Sequence, residues 1–126
     1  MRDNNKLRET DAKLQELAER WSQAGVLDHG AWANAPLSFL NQLWNMLLLA
    51  RVVTVGALLR DESRGSHFKP EFPKRDDEKF LKTTIARYDA ASQHGPKITY
   101  EDVDISLVKP VLRDYTGGKG AERKSA

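Results

Sequence analysis

Between Arg60 and Lys82 the sequence reads Arg-Asp-Glu-Ser-Arg-Gly-Ser-His-Phe-Lys-Pro-Glu-Phe-Pro-Lys-Arg-Asp-Asp-Glu-Lys-Phe-Leu-Lys. Arg60, Glu62, Arg64 and His67 place guanidinium, carboxylate and imidazole groups within one short run, and two readings compete. In the first they form a helix end, with Gly65 just past it, Arg64 beside the last carbonyls and the charges in water. In the second they are charge-assisted donors and acceptors that lock this connection to another surface. A basic residue beside a histidine also suits a dicarboxylate, but without an identifiable nucleophile, base or cofactor the cluster defines no reaction. Asp76, Asp77 and Glu78 offer carboxylates for acid–base work, yet three acids ahead of Phe80 and Leu81 better fit the first turn of a short helix, where negative charge meets the positive end of the dipole. Phe68, Phe72 and Phe80 argue against a disordered linker, so the run reads as an ordered, charged connection.

Other chemistry is largely excluded by composition. His29, His67 and His94 fall in three separate segments and the chain has no cysteine, so no metal site is expected and disulfides are ruled out. Gly117, Gly118 and Gly120 lie in a Lys/Ser-containing tail and follow no strand, so they form no phosphate loop. With 20 Lys and Arg against 18 Asp and Glu, the net charge of +2 is too small and too mixed for a nucleic-acid footprint. At 126 residues the chain allows one domain with a modest core. Its polar start, Met-Arg-Asp-Asn-Asn-Lys, resembles no secretory signal, and a cytoplasmic location is expected.

The elements that must hold the connection come before and after it. Leu7, Leu14, Leu17, Ala18 and Trp21 recur at helical steps from about Asn4 to Ala24, giving one apolar stripe on a charged helix roughly 30 Å long. Asp3 is its candidate N-cap and Gly25 its left-handed terminator. Asp28, Gly30 and Asn34 mark a turn-rich connection in which Trp32 is expected to fold back as a lid on the helices. A second helix begins near Pro36 and is apolar on nearly every face between Leu43 and Leu59. Asn41, Gln42, Asn45 and Arg51 interrupt that run, which is why a membrane span is set aside. A soluble helix apolar all round needs cover on several sides, and the first helix covers only one. Each further buried Leu or Val is worth about 1.5–3 kcal/mol, so a missing segment of a larger protein, a second copy of the chain, or both should lie against it. After Lys82, β-branched and aromatic residues in Thr83–Ala90 and Lys97–Val103 flank Ser92, Gln93, His94, Gly95 and Pro96, predicting a short β-hairpin. The expected organisation is a helical hairpin over 1–62, the charged connection over 63–82, the β-hairpin over 83–104 and an extended, partly disordered tail over 105–126.

The run from Arg60 to Lys82 resembles a segment near the C-terminus of succinate dehydrogenase and fumarate reductase flavoprotein subunits. That pattern is approximately Arg-x-Glu-Ser-Arg-Gly-Ala-His, then Pro and Arg-Asp-Asp-Glu, with an aromatic, Leu and Lys following. Ser66 stands where the family commonly has Ala, and Thr83 where many members have His. The helix from Leu40 to Leu59, the motif and the hairpin together resemble the Gram-positive type most closely. L-aspartate oxidases share the Glu-Ser-Arg-Gly-x-His core and are the nearest alternative parent; a free-standing dimeric helical module is the alternative of another class. The resemblance implies a mainly α fold: a spectrin-repeat-like bundle with two long antiparallel helices in this chain, its first helix lying before Met1. It implies that Arg60, Glu62, Arg64, Gly65 and His67, continued by Arg75, Asp76 and Asp77, dock the domain onto flavin-binding and capping domains. The implied parent uses FAD to interconvert succinate and fumarate, passes electrons to an iron–sulfur subunit, and sits on the cytoplasmic face of a membrane. The motif assigns no catalytic, cofactor-binding or metal-binding residue to this chain, and the isolated chain is expected to bury its open face by dimerising or otherwise.

Overall fold

The computed structural model describes residues 1–88 and 95–111. Helix α1 spans Asn4–Trp21, and the Asp3 carboxylate caps it by accepting the Lys6 N–H at 3.0 Å. Its end unwinds through three successive tight turns, from the Ser22, Gln23 and Ala24 N–H groups to the carbonyls of Glu19, Arg20 and Trp21. Ser22 keeps a right-handed conformation, and Gly25 is not left-handed. The expected glycine stop is therefore replaced by a gradual tightening of the last turn.

Helix α2 spans Ala35–Leu59, with Asn34 as N-cap accepting the Leu37 N–H at 3.0 Å and Pro36 in the first turn. Asn34 also donates its side-chain amide to the Asp28 carbonyl at 2.8 Å, while Asp28 accepts the Gly30 N–H at 2.8 Å, so the loop is braced by its own side chains. Ala33 takes a positive φ of 55° here. Trp32 is 93% exposed and does not cover the helices. The bracing by Asp28 and Asn34 turns the loop on itself, leaving the indole in solvent.

Three pairings along the helices establish that α1 and α2 run antiparallel. Trp21 stacks on Trp44 with ring centroids 4.6 Å apart and donates its indole N–H to the Leu40 carbonyl. Arg51 Nε donates to Asp11 at 3.1 Å, and Asn4 reaches Asp61, just beyond the end of α2. The polar interruptions expected to shorten the apolar run do not do so. By length and composition α2 is able to cross a membrane, and it continues unbroken through Asn41, Gln42, Asn45 and Arg51.

A short helix α3, Asp77–Phe80, follows the connection and is capped by Asp76, which accepts the Lys79 N–H at 3.0 Å. The acids are thus the start of a helix, as their position ahead of Phe80 suggests. Strands β1, Lys82–Arg87, and β2, Lys97–Asp102, pair antiparallel from Lys82 opposite Asp102 to Arg87 opposite Lys97. Both end earlier than their β-branched composition suggests, with Tyr88 and Val103 outside the ladder. The expected turn residues Ser92, Gln93 and His94, and the expected tail from Thr116, lie outside the described residues. Phe80 of α3 meets Tyr100 of β2 edge-on at 6.4 Å, and Gly95, just ahead of β2, lies on the Arg51 guanidinium of α2. Gly95 has a φ of +95°, which favours glycine, and a β-carbon there would come within 2.7 Å of Arg51 Nη2 and push the guanidinium aside.

Burial in α2 does not follow polarity. Its buried residues are Leu47, Arg51, Thr54 and Ala57. Phe39, Met46, Leu49 and Val53, also on one face by spacing, are between 62% and 66% exposed.

Candidate functional site

The connection leaves α2 at Arg60 and folds into two tight turns. In the first, Arg64 and His67 exchange both backbone hydrogen bonds, at 2.8 and 3.0 Å, around Gly65-Ser66. Gly65 has a φ of +58° and Ser66 does not take a positive φ, the pattern of a two-residue turn with glycine at its first central position. Gly65 therefore ends no helix; α2 stops at Leu59, and the glycine reverses the chain inside the connection. In the second turn the Phe72 N–H returns to the Lys69 carbonyl at 3.0 Å, with Pro70 fixing the bend. Ser63 joins the two, accepting the Lys69 N–H at 3.0 Å and donating to the Phe72 carbonyl at 2.7 Å.

Glu62 is the centre of the charged network, with its side chain fully buried. One carboxylate oxygen accepts Arg60 Nη1 and Arg64 Nε, the latter at 2.9 Å; the other accepts Arg64 Nη2 and the Asp76 N–H, each at 3.0 Å. Burial alone would raise this carboxyl, but the Arg64 bonds, the Asp76 amide and Arg60 outweigh it and hold Glu62 below its ordinary range. Arg64 continues to Asp77 at 2.6 Å; Asp77 takes Arg75 at 2.6 Å, and Arg75 reaches the Val111 carbonyl at 2.9 Å. Arg60 bridges to the sheet, donating to the carbonyls of Phe80 and Lys82 at 3.0 and 2.7 Å and to Thr84 Oγ1 at 3.3 Å, and it lies over the Phe80 ring.

All eight residues singled out in the sequence thus come together around Glu62 and the adjoining turn, and their charges are matched within the chain. His67 has both ring nitrogens engaged, Nδ1 with the Arg2 guanidinium and Nε2 with the Arg60 carbonyl at 2.9 Å. Burial, then the nearby Arg2, Lys69 and Arg60 charges, lower its pKa below the ordinary 6.5, despite the opposing hydrogen bond to the Arg60 carbonyl. Chemically the arrangement is a rigid ionic clamp: its arginines face carboxylates and carbonyls of the same chain. Among the described residues there is no group of three His, Cys, Asp or Glu able to hold a metal ion.

Sequence reasoning missed the other half of the clamp. Lys69 is fully buried, with Nζ donating to the Leu58 carbonyl at 3.0 Å and to Asp61 at 2.8 Å. It therefore caps the C-terminal end of α2 from a distant position, where a cation meets the negative end of the dipole. Asp61 also accepts the Asn4 side-chain amide at 3.2 Å, and the Glu71 carboxylate takes the Asn4 N–H at 3.0 Å, holding the buried first residue of α1 against the connection. The Arg2 N–H donates to the Phe68 carbonyl at 2.9 Å. Nothing local to Lys69 in the sequence marks it as buried, because its partners Leu58 and Asp61 lie on the far side of the first turn.

Comparison with known proteins agrees with this architecture. Residues 1–115 match the family model described as fumarate reductase flavoprotein C-term. The chain is 46% identical over 122 residues to the succinate dehydrogenase flavoprotein subunit of Bacillus subtilis, covering 97% of this chain and 21% of that protein. It is 41% identical to the fumarate reductase flavoprotein subunit of Helicobacter pylori strain J99, covering 94% of this chain and 17% of that one. The FrdA chain in a structure of E. coli quinol fumarate reductase superposes with a TM-score of 0.85 at 33% identity, over 94% of this chain and 20% of that chain. The chain accordingly spans about a fifth of the length of the relatives it matches. Sequence match over residues 1–115 and superposition at 33% identity agree, and the chain belongs to the family of the succinate dehydrogenase and fumarate reductase flavoprotein subunit, of which it is the C-terminal domain.

Proposed function

We propose that the chain is the docking and structural domain of an FAD-dependent enzyme that interconverts succinate and fumarate, and that its contribution to activity is made only within the complete flavoprotein subunit. The observation that carries this reading is the contrast within α2. Arg51 and Thr54 are buried on the packed side while Phe39, Met46, Leu49 and Val53 stand exposed on the other, a face suited to cover by further protein. On this reading an upstream helix of the parent chain lies against that stripe and completes a spectrin-repeat-like three-helix bundle. The flavin-binding and capping domains then rest on the connection. Arg60, Glu62, Arg64, Gly65, His67, Arg75, Asp76 and Asp77 serve docking by fixing the shape of that connection. Phe68 and Phe72, partly exposed on the same turns, supply apolar contact. FAD is held by the upstream domains, electrons pass to an iron–sulfur subunit, and the assembly sits on the cytoplasmic side of a membrane.

The test is a graft. The matching C-terminal segment of the Bacillus subtilis flavoprotein subunit is replaced by this chain, and succinate-dependent dye reduction and covalent flavin content are compared with the subunit truncated before the segment. Restored activity and flavin content are expected. A grafted subunit that is soluble and folded yet no more active than the truncated one refutes the docking role. A chain that alone sediments as a stable dimer through α2, and stays dimeric in the presence of the truncated subunit, favours instead a free-standing interaction module.

A further inference from the structure

We infer that His67 is a proton-sensitive latch, which in its neutral form ties the N-terminal segment to the connection and on protonation releases Arg2. The geometry fixes the tautomer. The Arg60 carbonyl can only accept, so Nε2 carries the hydrogen; the Arg2 guanidinium can only donate, so Nδ1 presents its lone pair. A second proton has one place to go, Nδ1, where it meets the Arg2 donor head-on. The ring is buried, so the resulting imidazolium cannot turn to water for compensation.

The charged groups around the ring reinforce this. From the N-terminal segment it faces Arg2, from the end of α2 Arg60, and from the second turn Lys69. The nearby carboxylates are engaged elsewhere: Glu62 by Arg60 and Arg64, Asp61 by Lys69 and Asn4, and Glu71 by the Asn4 N–H. Among the described residues no carboxylate hydrogen-bonds the ring, so protonation adds a cation to a cationic site. Burial alone would raise the Asp61 carboxyl, but the hydrogen bonds from Lys69 and Asn4 hold it below its ordinary range, so in mildly acidic solution its tie to the Asn4 side chain persists and release is confined to the residues ahead of it. The Arg2 N–H bond to the Phe68 carbonyl, 2.9 Å long, loses the side-chain anchor beside it and frays. This latch does not depend on the docking role.

The experiment is NMR on the chain itself. Long-range nitrogen–proton correlations should find His67 in the Nε2–H tautomer at neutral pH. Solvent exchange of the Arg2 amide, corrected for its intrinsic rate, should rise about tenfold between about pH 7.5 and about pH 5, while the Asn4 amide is unchanged. In His67→Gln the rise should vanish. An Nδ1–H tautomer, a flat Arg2 profile in the native chain, or an equal rise in His67→Gln overturns the proposal. Arg2→Ala, which removes the guanidinium and keeps the imidazole, gives an independent measure: the His67 pKa should move up, and an unchanged or lower value overturns the latch.

Discussion

The connection and the open face of α2 handle polarity in opposite ways. In the connection, Glu62 and Lys69 are wholly buried and each is held by several partners. On α2, Met46 and Leu49 are large, apolar and mostly in solvent. A buried charge is tolerable only when its partners are in place, and here they all come from the same chain. An exposed apolar stripe is stable enough to persist but gains from any protein surface that covers it. Glu62 and Lys69 are therefore satisfied from within the chain, while the helix beside them is open to association.

The most damaging way to break this contrast is to remove the centre of the clamp. Glu62→Ala leaves Arg60 and Arg64 facing one another without their shared acceptor, and should lower unfolding stability by about 3–5 kcal/mol in urea titration. Acid does the same more gradually. Glu62, Asp61 and Asp77 all have folded pKa values below their ordinary ones, for Glu62 and Asp61 despite burial that by itself raises them. Their contribution is complete above the unfolded values, 4.5 for Glu62 and 3.8 for the two aspartates, and is lost as pH falls through the lower folded values. His67 adds an earlier loss that begins as pH falls below 6.5, since its folded value is also lowered and the unfolded chain takes the proton first. Denaturation midpoints should thus decline in two stages on acidification, and His67→Gln should erase the first.

Smaller effects sharpen the comparison. Gly95→Ala forces a β-carbon into the Arg51 guanidinium at a left-handed position and should cost roughly 1–3 kcal/mol, with the loss appearing first in amide protection of β1 and β2. Met46→Lys and Val53→Lys, on the open stripe, should change the stability of the isolated chain by no more than about 0.5 kcal/mol. The same two changes should abolish activity of the grafted subunit described above. If they destabilise the chain alone by several times that amount, the stripe is part of its own core and the contrast fails.

What could be read from the sequence followed the range of the interactions. Helices α1 and α2, the Asp3 cap, Pro36 in a first turn and the acids opening α3 rest on contacts within a few residues, and the antiparallel hairpin on the composition of two neighbouring runs, so their signals are local. Arg60, Glu62, Arg64 and His67 were legible as a dense run of charge and histidine, and the family resemblance added Gly65, Arg75, Asp76 and Asp77. The long-range pairs were not, since Arg2 to His67, Asn4 to Asp61 and Arg51 to Asp11 join positions far apart in the chain. Trp32 and Gly25 misled for the same reason. Aromatic character predicts burial only where a surface is within reach, and glycine permits a left-handed turn without requiring one.

Arg60 also bears on what happens to a broken chain. Its side chain joins the end of α2 to the backbone of Phe80 and Lys82, so the residues between form a loop whose base is pinned without a covalent link. The Arg64 bond to Asp77 and the Asp76 bond to Glu62 span the same loop. A protease that nicks the exposed Lys74 peptide should therefore leave one species in a native gel and two fragments in a denaturing one, the pieces held together by ionic bonds until high salt or acid parts them.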